Sequence, residues 1–272
     1  MGGSQAQPQD LVVTLLGTYV HQRTQAVWSG GLVRLLGELG FSVAASRVAL
    51  SRLVARRLLT RERAGRLAHY RLTPRCIALL DEGDARIFAL GRRHNDGDCW
   101  TVLWHAIPDD RKLERSRLAR RLRFLGFGSL QDGTWIAARD READVVALLD
   151  DLAVRKYAAV MVGRPAASVD FAGVVARAWD LRGLDVRYRH FVRTFAPYAR
   201  DGATRSVSDR DAFSRRTRLV SAYRAFPALD PELPGSVASE PKHRDDAVAL
   251  FHRLYGRLAA PAQRYFDSVA LA

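Results

Sequence analysis

Between Ser42 and Arg75 the sequence carries nine arginines, Arg47, Arg52, Arg56, Arg57, Arg61, Arg63, Arg66, Arg71 and Arg75, against a single acid, Glu62. A guanidinium is a permanently charged planar fork that meets two oxygens at once, so it suits phosphates and the O6/N7 edge of guanine. A local excess of eight positive charges exceeds what a solvated face needs and is the footprint of a nucleic-acid contact. The whole chain of 272 residues has 43 Lys and Arg against 29 Asp and Glu, a net +14, so this stretch holds more than half of the imbalance. Only Lys112, Lys156 and Lys242 are lysines. Genome composition also biases arginine usage, so composition alone points no further than a polyanionic partner.

Other chemistries lack their residues. There is no phosphate-binding glycine loop ending in Lys-Ser/Thr, no Gly-x-Ser-x-Gly elbow and no His-Glu-x-x-His pair. Cys76 and Cys99 have no paired cysteine nearby, which excludes a disulfide framework and a thiolate zinc cage. The seven histidines are scattered singly. The run His94-Asn95-Asp96-Gly97-Asp98 lacks the distal acid of a calcium loop and reads as a polar linker. No catalytic residue, metal ligand or cofactor is assigned, and the chain is expected not to be an enzyme. The longest stretch without a charged side chain, Leu11 to Gln22, is 12 residues, short of the roughly 18–20 that span a membrane. With no leader-like N-terminus, the expected location is the cytoplasm. At 48% hydrophobic and 26% charged the composition is that of a globular protein of about two domains or more.

The elements that must position the arginines follow from caps and periodicity. Leu11 to Gln22 reads as a helix with Asp10 as N-cap, Ser29 to Gly40 as a second, and Ser42 to about Arg57 as a third after a tight Gly40-Phe41-Ser42 turn. Helix, turn, helix is the order of a DNA-reading motif. At 100° per residue, Val43, Leu53 and Val54 each fall within about 60° of Leu50, and the four form the expected buried stripe. The opposite face then carries Ala45, Val48, Arg52 and Arg56, flanked by Arg47 and Ser51. On this reading Arg52 and Arg56 fork onto bases, with Ala45, Val48 and Ser51 shaping the contact. The other reading of the same residues is a solvated helix face in an unrelated bundle. Leu58–Arg63 and Arg66–Leu72 are strand-like around Ala64-Gly65, a hairpin whose tip holds Arg61, Arg63 and Arg66. With Arg47 and Arg57 these are placed to hold phosphates, as the wing of a winged helix does.

The run Gly40-Phe41-Ser42 to Leu53, with Gly65-Arg66 to Thr73 and Gly83-Asp-Ala-Arg86-Ile87, resembles the PaaX family of bacterial transcriptional repressors, named for control of phenylacetic acid catabolism. The middle of the chain fits. Trp100–Ile107 is a strand, Asp109–Leu125 a helix, Gly128–Gln131 and Thr134–Ala138 a hairpin around Asp132-Gly133, Arg141–Val154 a helix and Tyr157–Val162 a strand. This βαββαβ order is ferredoxin-like, and Arg111, Arg115, Gly126-Phe127-Gly128 and Trp135-Ile136 resemble the family's second domain. That domain is similar to small CRISPR-adaptation proteins, some of them metal-dependent nucleases with an aspartate ending the first strand. Here the stretch reads Trp104-His105-Ala106-Ile107-Pro108, so a metal-dependent nuclease is the alternative that lacks its carboxylate.

From Arg164-Pro165 onward the pattern is helical. Leu184, Tyr188, Phe191 and Phe195 recur at helical spacing, as do Leu219, Val220, Tyr223 and Phe226, which is the signature of a core. Trp179-Asp180-Leu181, Tyr223 to Pro227 and Asp230-Pro231-Glu-Leu233-Pro234 extend the resemblance to about Leu11–Val269. Where the family usually carries an Asp-Trp pair, this chain has Glu240-Pro-Lys242-His243-Arg244. That departure bears on the effector if the tryptophan lines its site. The expected fold is therefore α+β and multidomain: a winged helix-turn-helix over 1–92, a ferredoxin-like domain over 98–164 and an all-α domain over 165–272. Because one helix reads only a few base pairs, a homodimer on an inverted-repeat operator in double-stranded DNA is expected, and the resemblance implies release by an aryl-acyl-CoA such as phenylacetyl-CoA. For that ligand Arg215, Arg216, Arg218 and Arg224 would meet phosphates beside Trp179, Tyr188 and Tyr223. The same residues equally describe solvated arginines over an aromatic core.

Overall fold

The computed structural model describes residues 8–21, 23, 25–92, 99–166, 168, 170–200 and 207–271. The polar run at 94–98 and Gln22 at the expected end of the first helix lie outside the described residues. In chain order the elements are α1 (Pro8–Tyr19), β1 (Val27–Trp28), α2 (Ser29–Glu38), α3 (Val43–Ala55), β2 (Leu59–Ala64), β3 (Leu67–Leu72), α4 (Pro74–Ala89), β4 (Trp100–His105), α5 (Lys112–Phe124), β5 (Gly128–Gln131), β6 (Thr134–Ala137), α6 (Glu142–Asp151), β7 (Ala158–Gly163), α7 (Phe171–Ala178), α8 (Leu181–Phe195), α9 (Asp209–Tyr223), α10 (Phe226–Leu229), α11 (Arg244–Arg257) and α12 (Ala259–Ala270). Short 3-10 turns precede α5 and β7 and follow α8. The chain is mixed α+β, with two antiparallel sheets, and it folds as two compact units. One lies within 1–88, 191–224 and 249–272, the other within 89–190 and 225–248.

In the first unit, α1 buries Leu11, Val12, Leu15, Leu16 and Tyr19, the i, i+4, i+8 stripe of an amphipathic helix. Their partners come from far along the chain. The Tyr19 ring stacks on Phe266 of α12 at 4.9 Å, and its hydroxyl shares a hydrogen bond of 3.1 Å with Thr217 of α9. Burial pushes that phenol up to about 12. Gly31 of α2 lies so close to the backbone of Val269 and Ala270 that a Cβ there would collide.

α2 ends where glycine permits: Gly40 sits at φ +99°, its N–H donates to the Gly37 carbonyl at 3.0 Å, and that of Phe41 to Leu36 at 3.1 Å. Ser42 then caps α3 as expected, its Oγ accepting from the Ala45 N–H at 3.2 Å. The stripe α3 buries is Ser46, Ala49, Leu50 and Leu53, rotated from expectation at its start, because Val43, in the first turn, is 52% exposed. Ser46 replaces it without an unmet polar group, since its hydroxyl donates to the Ser42 carbonyl at 2.9 Å. β2 and β3 pair from Leu59↔Leu72 to Ala64↔Leu67. The connection is therefore Gly65-Arg66, one residue beyond the expected turn, with Gly65 at φ +60° as a two-residue hairpin requires. β1 adds to β3 through Val27↔Tyr70 and Trp28↔His69, a two-residue strand too short to show a period.

In the second unit the strand order is β5-β6-β4-β7. One face of the sheet, with Leu103 and Trp135, packs on Leu118 and Leu122 of α5 and Val145 and Leu149 of α6. The other face, with Trp100, Ile136 and Ala138, packs on Val175 of α7 and on Leu233. The β5–β6 turn falls at Asp132-Gly133 as expected. Gly133 has φ +77° and its carbonyl accepts the His105 N–H at 2.8 Å.

Burial holds the His105 imidazole below its ordinary pKa of 6.5, with Asp132 partly opposing. The folded state thus binds fewer protons than the unfolded one just below 6.5, and stability falls as pH drops through that value toward the lowered one. Comparing Tm at about pH 7.5 and pH 5.5, His105→Gln is expected to lose less stability on acidification than the parent. An equal loss would assign the acid sensitivity elsewhere.

Candidate nucleic-acid interface

The site is built by three local devices. The Ser42 cap fixes where α3 begins, the buried Leu50 and Leu53 fix its rotation, and β2 starts four residues after α3 ends. Turned outward are Arg47, Val48, Ser51, Arg52 and Arg56, with Ala45 half-buried beside them. Val48 is 49% exposed in the middle of a cationic face, where a methyl-bearing partner such as thymine would cover it. Arg57, Arg61, Arg63 and Arg66 are exposed at the helix end and along the hairpin. Every residue expected to touch DNA is thus in one unit and reachable from solvent, Ala45 least so.

Charge pairing separates Arg71 from these arginines. Arg71 is engaged, its Nε donating to Glu62 Oε1 at 3.1 Å across the hairpin. That uses the only acid of the segment. Among the described residues Arg47, Arg52, Arg56, Arg57, Arg61, Arg63 and Arg66 have no ion pair and no side-chain hydrogen bond. Seven uncompensated guanidinium groups on adjoining elements repel one another, and a polyanion laid across them relieves that repulsion while releasing its own counterions.

Three family models match the chain in succession: PaaX-like protein over residues 7–76, PaaX protein central Cas2-like domain over 93–175, and PaaX-like protein C-terminal domain over 179–268. The chain belongs to the PaaX family. Membership suggests a transcriptional regulator as the function class of this PaaX-family chain. No curated protein matches it. Among solved structures it is similar in fold to the uncharacterized protein Rv0674 from Mycobacterium tuberculosis, at 22% identity and a TM-score of 0.55, with 97% of this chain and 98% of that one covered.

In this PaaX-family chain α3 closes with the same hydrogen bonds as α2. Arg57 N–H donates to Val54 and Leu58 N–H to Leu53, each at 2.9 Å, but the residue at φ +57° is an arginine. A side chain there costs about 1 kcal/mol relative to glycine, a strain kept at a position that faces solvent with a cation. Arg57→Gly is accordingly expected to raise Tm by a few degrees while lowering DNA affinity and reducing the slope of log K against log salt by about one. A gain in Tm with an unchanged slope would remove Arg57 from the phosphate contacts.

The residues expected to bind an effector are divided between the units. Arg215, Arg216, Arg218, Tyr223 and Arg224 belong to the first; Trp179 and Tyr188 belong to the second. Tyr223 is fully buried and stacked on Phe251 at 3.8 Å. Arg216 is buried over the Tyr255 ring at 4.2 Å, and Arg215 lies over Tyr198 at 4.7 Å. Arg224 ties α9 to α1 by donating to the Asp10 carbonyl at 2.8 Å and to Thr14 Oγ1 at 2.7 Å; burial lowers its pKa. Arg218 alone of the four arginines is exposed. Tyr188 is buried, donating to Asp230 at 2.8 Å. Trp179 walls a cleft of about 370 Å³. Among the described residues no group of three or more His, Cys, Asp or Glu is placed to hold a metal ion, and no helix is long and apolar enough to cross a membrane.

Proposed function

We propose that the chain is a sequence-specific, DNA-binding transcriptional repressor acting from the cytoplasm as a homodimer. α3 serves as the recognition helix of a winged helix-turn-helix over 1–92, and the β2–β3 hairpin as its wing. The ferredoxin-like domain over 98–164 and the helical part over 165–272 carry assembly and ligand response. What supports the reading most is the set of seven solvent-facing arginines without an acidic partner on α3 and the hairpin. In it Arg52 and Arg56 read base edges, while Arg47, Arg57, Arg61, Arg63 and Arg66 hold phosphates. One helix reads only a few base pairs, so a two-fold dimer on an inverted repeat supplies the discrimination a genome demands. Release comes from an aryl-acyl-CoA such as phenylacetyl-CoA, which must favour the conformation that does not hold DNA.

Footprinting across the protein's own upstream region tests this. The expected result is protection of two half-sites spaced by about one helical turn, weakened when phenylacetyl-CoA is added. Uniform affinity for any duplex would sink the repressor reading, and protection insensitive to every aryl-acyl-CoA would sink the effector.

A further inference from the structure

We propose that the cleft in the second unit is the effector pocket, and that it takes a flat aromatic ring bearing an anionic group. The assignment rests on reading the chain as a ligand-released regulator, and it places the ligand away from the arginines of α9. The cleft encloses about 370 Å³ between β5, β6, the C-terminal end of α5, the start of α8 and α10. Roughly 150 Å³ is enough to hold benzene, so a ring and a short polar tail fit, whereas a whole nucleotide does not.

The walls suit such a ligand. Trp135 and Trp179 supply aromatic surface, and Leu229 of α10, 41% exposed, supplies apolar surface that nothing in the unit covers. Trp179 reaches the cleft because Gly128 of β5 has no side chain: a Cβ there would come within 2.6 Å of the indole. Two cations, Arg123 and Arg187, stand against one carboxylate, Asp180, whose Oδ1 already accepts the Gly183 N–H at 2.8 Å as the cap of α8. The Arg123 guanidinium lies 5.2 Å from the centre of the Trp135 ring. A separate observation points to a missing partner: Trp135 is 5% exposed, and its indole Nε1–H is buried with no acceptor. Buried indole donors are ordinarily hydrogen-bonded; this one is closed to solvent, so a ligand carboxylate or carbonyl oxygen would fill that role once the ring turns toward the cleft. An aromatic carboxylate presents the ring and the anion together, whereas its thioester presents the ring and a neutral carbonyl acceptor, with its anionic phosphates farther along the coenzyme A arm.

Calorimetric titration of the full chain, without DNA, separates the sources. The probes are phenylacetate, phenylacetyl-CoA and coenzyme A alone. Saturable binding of one or both aryl probes is expected, with coenzyme A at least about tenfold weaker; the tighter aryl probe identifies the free acid or the thioester. Leu229→Glu, which places a like charge at an exposed position, and Arg187→Gln should each weaken the aryl probe about tenfold. Trp135→Phe, which removes the N–H together with the five-membered ring of a core residue, should weaken it and lower Tm. Aryl binding that is unchanged in these variants, coenzyme A binding as tightly as its thioester, or no aryl binding at all would each overturn the proposal. Because no DNA is present, failure of the repressor reading appears only in the footprint, and failure of the pocket only in the titration.

Discussion

Arg52→Ala is expected to weaken binding to the operator by about 1–3 kcal/mol per half-site, while binding to unrelated DNA falls far less. In a dimer the loss is paid twice, about 2–6 kcal/mol, so the specific complex should lose roughly thirtyfold to twenty-thousandfold in affinity at fixed salt. The direction follows from where the side chain stands. Arg52 is exposed on α3, one turn beyond Val48 and one before Arg56, and has no acid to leave when it meets a base. Arg61→Ala on the hairpin is the control, expected to lower specific and non-specific binding alike and to flatten the salt dependence by about one unit of slope. Equal losses in specific and non-specific affinity for Arg52→Ala would make Arg52 a phosphate contact and leave the base reading to other residues.

Asp230→Ala is expected to be the most damaging single substitution for stability. Both carboxylate oxygens are used: Oδ2 accepts from Arg244 Nε at 2.7 Å and from the Tyr188 hydroxyl at 2.8 Å, and Oδ1 from Arg244 Nη2 and the Glu232 N–H at 2.9 and 2.8 Å. The Asp230 side chain is 0% exposed and that of Arg244 is 6%. Burial pulls the Arg244 guanidinium down, but the bidentate pairing with Asp230 outweighs it and holds the group above its ordinary pKa. Removing the acid leaves a buried charge whose remaining partner, Glu240, is a surface residue, at a cost of about 3–5 kcal/mol. For a chain of this size that is a fall in Tm on the order of 10 °C. Tyr188→Phe, which deletes one hydrogen bond, should cost only about 1 kcal/mol. The double variant Asp230→Ala/Arg244→Met should recover much of the loss, because the pair is removed together. A change of less than about 2 °C for Asp230→Ala would mean water reaches the guanidinium after all.

The local elements were legible at some caps and turns and not at others: Asp10, expected to cap the first helix, lies inside α1, and Ser29 is the first residue of α2 after an N-cap at Trp28 that makes no side-chain bond. Ser42, Gly40, Gly65 and the Asp132-Gly133 turn act through their own backbone geometry and nearest hydrogen bonds, which are written in consecutive residues. Periodicity also carried the aromatic stripe of α8, since Leu184, Tyr188, Phe191 and Phe195 are all buried. It erred by part of a turn on α3. There an apolar Val43 looked like core and a serine did not, because the hydrogen bond that makes Ser46 acceptable inside is invisible to a hydrophobicity pattern. For the DNA-facing side the charge count located the residues, but only the fold reveals that Arg71 is spent on Glu62 and the other seven named arginines are not. The effector residues were the least legible. Arg224 and Tyr223 are of the right types, yet their partners lie on α1 and α11. Arg123 and Arg187, which line the cleft with Trp179, carry no signal in the sequence, because only tertiary packing brings α5 and α8 together there.

The chain passes four times between its two compact units, at about residues 88, 190, 224 and 248. The helices of 1–88 therefore do not own their hydrophobic interior: Tyr19 needs Phe266 and Thr217, and Gly31 needs the end of α12. A gene fragment ending near residue 92 would encode every arginine of the interface and still leave those apolar faces open to water. Such a segment is not expected to fold as a cassette that recombination can move between proteins, and on the proposed reading its DNA specificity would diversify by substitution on the outer face of α3. The last helix of the chain, with no expected contact to DNA, is thereby under the same selection as the first.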